Sequence, residues 1–338
     1  MRQLLRLGMC VLCASGSLVL LSSVQERKAQ PTKDDKVAGQ LIGLGMEKPA
    51  HYIENATPEL IKRGEELIFL GKTTPPEGES SNHISKFYKC VSCHNTVKED
   101  PDLTVINQQA RLDYAVQNDL PYLQGSTFYG IVNRESWYND DYVKKYGSLV
   151  ENAKNSLQGS VQLCAEVCAQ GRTLKDWEME SILAYFWSIG LKKSDLTWNK
   201  EEYESWGSST DEEKIELIKS KYLQTSPATF SSVPKDKAAG YSGITGNADN
   251  GKHIYELGCQ HCHREQGESD VVLDNAKPTF RWLERNITAN TKLSIYEIIR
   301  KGTYSEKGHQ EYMPHYTLEK MSHQQVEDLR AYIEVMAD

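Results

Sequence analysis

Four cysteines and two histidines of this chain fall into one pattern that occurs twice, Cys90-Val91-Ser92-Cys93-His94 and Cys259-Gln260-His261-Cys262-His263. The spacing lets two thiols add to the two vinyl groups of a porphyrin. The adjacent histidine is then held beneath the iron, so each copy reads as an attachment site for c-type haem. Two other uses of Cys-x-x-Cys fit poorly. A thioredoxin-like redox pair wants an alternating strand–helix context. A zinc ribbon needs two pairs close enough to share one metal, and these lie 169 residues apart. The expected cofactors are therefore two covalent haems c with their iron. Cys90, Cys93, Cys259 and Cys262 are the attachment points, and His94 and His263 the proximal ligands.

The opposite side of each iron needs its own ligand. Past His263 come Pro278 and then Tyr312-Met313-Pro314-His315-Tyr316, ahead of a final helical pattern. This order, over roughly residues 240–338, resembles class I cytochrome c domains. The resemblance implies that Met313 is the distal ligand of the second haem, and thioether ligation raises a haem's reduction potential. Met321, at the start of the last helix, reads as core.

The first motif has no such Met-Pro after it. Met179 lies within a helical pattern. Met313 stands nineteen residues before Tyr332, and nineteen before the equivalent Tyr185 is Glu166, flanked by Cys164 and Cys168. By spacing, either cysteine suits the distal position. The run Val161-Gln162-Leu163-Cys164-Ala165-Glu166-Val167-Cys168-Ala169-Gln170-Gly171-Arg172, with Trp177-Glu178-Met179-Glu180 and Ala184-Tyr185, resembles the diheme thiosulfate dehydrogenases and related sulfur-oxidising cytochromes. Thr127 to Arg134 is similar to that family's distal loop, and the likeness covers about residues 55–192. It implies that the cysteine seven residues before Gly171, Cys164, is both iron ligand and catalytic residue. Thiolate ligation lowers the potential, so the two haems would be poised apart. A disulfide between Cys164 and Cys168 is the competing reading, although four residues apart on a helix their side chains point poorly for one.

Other residues carry weaker signals. His51, His83 and His253 precede their nearest motif and would reach an iron only by an unusual path, and His261 reads as a surface residue. Arg134 and Arg172 suit haem propionates or an anionic substrate. Tyr129, Trp137 and Tyr138 are candidates for lining the first haem pocket.

These residues must be positioned by helices, since strand signals are scarce. Thr57-Pro58-Glu59 opens a helix through Leu67, with an N-cap followed by proline, and Asn250 to Leu257 forms its counterpart. Glu180 to Phe186 matches Glu327 to Ile333 with apolar residues at helical spacing. The expectation is all-α, with two class I-like helical domains at residues 30–195 and 236–338. An acidic linker, 196–235, carries one surface helix. Residues 1–29 read as a signal peptide or N-terminal anchor. Arg2 and Arg6 precede an uncharged run from Leu7 to Val24, closed by Glu26, Arg27 and Lys28. That predicts export to the periplasm, with membrane contact only through this segment.

The 338 residues carry a net charge of −8, which argues against nucleic acid as a partner. Three functions fit: a sulfur-oxidising enzyme acting on a small inorganic sulfur anion such as thiosulfate, an electron carrier between membrane complexes, or a diheme cytochrome c peroxidase. The peroxidase signatures are not found. In each case the protein partner is a donor or acceptor cytochrome or an oxidase.

Overall fold

The computed structural model describes residues 36–78, 81–303 and 312–338. The N-terminal signal or anchor segment, including Cys10 and Cys13, lies outside them. Among the described residues the chain is helical, with isolated bridges in place of strands, and no helix is long and apolar enough to cross a membrane.

Two helix pairs organise the molecule. Helix Pro58–Leu70 begins as its sequence dictates: the Thr57 hydroxyl accepts from the Leu60 N–H at 3.2 Å. Gly71 ends it in the left-handed region, φ 71°, where a side chain would be strained. This helix crosses Asp176–Ser188 at Gly64, whose missing side chain lets the backbones touch at the Ser181 carbonyl. The second pair repeats the arrangement. Helix Ala248–Ile254 crosses His323–Ala337 at Gly251, against the Asp328 carbonyl. Ser181 and Asp328 are the positions that the sequence repeat aligns. The last helix starts from a reciprocal cap, with Gln325 N–H donating to Ser322 Oγ at 3.2 Å and Ser322 N–H to Gln325 Oε1 at 3.0 Å.

Three apolar clusters hold these elements. One gathers Leu67, Ile68, Ile182, Leu183 and Phe186 of the first pair. Fully burying such side chains stabilises by about 1.5–3 kcal/mol each. The second gathers Ile254, Tyr255, Phe280, Leu329 and Ile333, and it also takes Leu112, Ala115 and Tyr122 from helix Gln108–Asn118 and the chain after it. A helix that lies in sequence between the first Cys-x-x-Cys-His motif and the Cys164–Cys168 pair thus completes the core of the C-terminal half.

The third cluster changes the reading of the acidic segment. It holds two helices, Lys200–Ser205 and Asp211–Lys219, where one was expected. Ile218 is wholly buried among Val37, Leu41, Leu191, Leu196 and Tyr222. Acidic residues at the start of Asp211–Lys219 favour its N-terminus and dilute the apolar spacing that marks its buried face. The segment is also stitched to the preceding half. Glu135 N–H donates to the Gln224 carbonyl at 2.7 Å, and Lys219 pairs with Glu135 at 2.7 Å.

Candidate haem-binding sites

Each Cys-x-x-Cys-His motif presents its histidine in the same way. Cys90–Ser92 forms a tight turn that closes with His94 N–H on the Cys90 carbonyl at 3.1 Å. His94 Nδ1 lies 2.7 Å from the Ser126 carbonyl. Only a protonated Nδ1 can bond a carbonyl, so the Nε2 lone pair is left for a metal. Phe128 stacks on the ring at 4.5 Å. Gly125 packs beneath it, where an added Cβ would come within 2.6 Å of Nδ1. In the second motif, helix Gln260–His263 follows a wide turn, Tyr255–Cys259, and His263 Nδ1 lies 2.8 Å from the Val271 carbonyl. Burial lowers the pKa of both histidines, which keeps them neutral.

All four motif cysteines are free thiols. Burial pushes Cys90 up to about 11 and Cys259 and Cys262 up to about 12, and it raises Cys93 strongly. Unpaired, protonated thiols beside a neutral, oriented imidazole are the donor set that covalent haem attachment requires. Among the described residues no group of three or more His, Cys, Asp or Glu side chains forms a bare metal site.

The two motifs touch. The Cys262 thiol lies 3.6 Å from the Ser92 carbonyl, and Ser92 Oγ donates to Glu268 Oε1 at 3.0 Å. His261, expected at the surface, is half-buried and bonds the Val91 carbonyl. It fills the seam between the motifs.

Residues 248–337 match the Cytochrome c family model. That segment is a cytochrome c domain. It accounts for the helix pair that crosses at Gly251, the second motif and Met313, and it gives the chain a haem-based electron-transfer role. No curated protein and no solved structure matches the chain.

Within the cytochrome c domain, Met313 is paired with Thr303, whose N–H donates to the Met313 carbonyl at 2.8 Å. Met313, like Leu257 and Cys259, packs against the apolar cluster of the C-terminal half. Met321 is fully buried, as a core residue should be.

On the first half, helix Leu157–Leu163 widens into a π-turn over Cys164–Cys168, the turn closing with Ala169 N–H on the Cys164 carbonyl at 2.8 Å. Such widened turns collect at functional sites. Both cysteines are free and hydrogen-bonded to each other. The bond with Cys168 and burial raise Cys164, which also feels Cys90 and Cys93. The bonds from Cys164 and then Tyr312 lower Cys168. Gly171 follows on the Ile84 carbonyl, where a Cβ has no room, so the turn is pinned close to the first motif.

The surroundings differ in part from expectation. Tyr138 interacts with Cys164 and Cys168, and so does Tyr142. Tyr146 interacts with Cys168. The four-residue spacing of these tyrosines was the available signal: Tyr142 and Tyr146 share a face of helix Asp140–Tyr146, and Tyr138 precedes its N-cap, Asn139. Tyr129 instead donates to Asp195 at 2.7 Å, and Trp137 to the Ile131 carbonyl at 3.3 Å. Arg172 is committed to Glu178, with two bonds of 2.7 and 2.6 Å, so it is a structural residue. Arg134 is half-buried beside Ser226, 2.7 Å from its hydroxyl, and lines a cavity with Ser126, Thr127, Glu99 and Lys320. His51 bonds the Val132 carbonyl at 3.1 Å between Trp137 and Trp187.

Proposed function

We propose that the chain is an exported, periplasmic diheme c-type cytochrome that oxidises thiosulfate at the first haem and passes the electrons out through the second. A haem c at each motif would supply one-electron chemistry. His94 and Cys164 would hold the first iron, and His263 and Met313 the second. The observation that carries this reading is the free cysteine pair held beside Cys90 and Cys93, in a half that has no Met-Pro. A soft thiolate at one iron and a thioether at the other separate their potentials in the direction that outward transfer requires. Arg134, half-buried in the cavity that Ser126 also lines, is suited to a carboxylate or other anion. The acceptor is a cytochrome or oxidase, and membrane contact runs through the N-terminal segment alone.

The test is steady-state turnover of the haem-loaded protein with thiosulfate and ferricyanide. Turnover that Cys164→Ala abolishes supports the enzyme. No turnover in the parent protein removes it and leaves an electron carrier.

A further inference from the structure

Ligation by Cys164 leaves Cys168 without a task, yet Cys168 is the better connected of the two sulphurs. It shares a hydrogen bond with Cys164 and receives another from the Tyr312 hydroxyl. Tyr312 comes from the far end of the chain and is the neighbour of Met313. Tyr88 fixes it in place: its hydroxyl donates to the Tyr312 carbonyl at 2.9 Å and the rings meet edge-on at 6.2 Å. One residue later the strand-like pairing with Thr303 takes over, and Met313 packs against the apolar core of the C-terminal half, as Cys259 does. Adjacent residues therefore serve opposite sites.

We propose that Tyr312 and Cys168 are positioning residues that form a relay, from the Tyr312 hydroxyl to the Cys168 sulphur to the Cys164 sulphur, and set how strongly Cys164 donates to the first iron. The proposal rests on Cys164 being the ligand. A thiolate that accepts a hydrogen bond gives less electron density to its metal, so each donor in the chain raises the potential of that site. With Cys164 ionised by the iron, the Cys168 S–H turns toward it and the Tyr312 O–H completes the row. Because the same loop carries Met313, the cytochrome c domain contributes to the ligand field of a haem it does not itself bind.

The experiment is an EPR-monitored redox titration of the haem-loaded protein and of Tyr312→Phe, Cys168→Ala and Cys168→Ser. The relay predicts a lower midpoint and displaced g-values for the first haem in Tyr312→Phe and Cys168→Ala. Cys168→Ser keeps a donor and should stay near the parent. The second haem's midpoint should hold in all of them. Unmoved first-haem signals in both Tyr312→Phe and Cys168→Ala overturn the relay while ligation by Cys164 stands. Loss of the thiolate signal in Cys168→Ala makes Cys168 the ligand and also overturns it. A parent protein with no thiolate signal removes the ligation reading and the relay together. Should Cys168→Ala fail to take up haem, Tyr312→Phe decides.

Discussion

The Cys262 sulphur lies 3.6 Å from the carbonyl oxygen of Ser92. Ser92 sits between the two cysteines of the other motif, so the attachment points of the two proposed haems are separated by little more than one peptide group. Electrons put onto the first haem by rapid mixing should therefore reach the second faster than the protein turns over, as stopped-flow spectra of the two haems would show. Equilibration slower than turnover would break the idea. Ser92→Ala removes the donor to Glu268 and should cost about 1–3 kcal/mol of stability in denaturant unfolding.

Met313→His replaces a thioether with an imidazole, which no longer favours reduced iron to the same degree. The midpoint of the second haem should fall in spectroelectrochemistry, and any thiolate signal of the first should persist. A second-haem midpoint that does not move would take Met313 out of the iron's coordination.

Glu99 is buried between Lys320 at 2.6 Å and Arg111 at 3.3 Å, a contact that joins residues from both halves of the chain. The charges of Arg111 and Lys320 overcome the effect of burial and hold this carboxyl far below its ordinary 4.5. A depressed folded pKa contributes stability at neutral pH that is lost as pH falls below about 4.5 toward the folded value. Asp100, raised by burial, works in the opposite sense. Glu99→Gln should destabilise the protein by about 3–5 kcal/mol at neutral pH, because two buried cations lose their partner. It should also flatten the acid limb of stability against pH. An unchanged acid limb in thermal melts would count against the assignment.

At Gly64 and Gly251 a methyl group meets the carbonyls of Ser181 and Asp328. Overpacking of this kind costs about 1–3 kcal/mol or more. Gly64→Ala and Gly251→Ala should each lower the melting temperature, and each should reduce haem uptake at its own motif before the other. Equal loss at both motifs would contradict the pairing described above.

Local chemistry was readable in the chain and long-range chemistry was not. The cap at Thr57, the crossing helices and the matched positions Ser181 and Asp328 follow from spacing within a few residues. The spacing of Tyr138, Tyr142 and Tyr146 was written in the same way, but nothing local said that they would meet Cys168. Tyr312 was hidden by its neighbour: next to Met313 it reads as part of one site, whereas its side chain belongs to the other. The seam between Ser92 and Cys262 joins residues 170 positions apart, and no periodicity encodes it. The second helix of the acidic segment was obscured because its buried Ile218, and Tyr222 just past its end, are interleaved with charged residues.

Helix Gln108–Asn118 places Leu112 and Ala115 in the core of the C-terminal half. During synthesis from the N-terminus, this apolar face emerges well before the residues that cover it. Until the final helix arrives, the growing chain offers an uncovered surface to whatever surrounds it. A truncated C-terminal half would in turn lack a wall of its own core. The two halves are thus bound to a common order of assembly, and the later one supplies the shelter that the earlier one waits for.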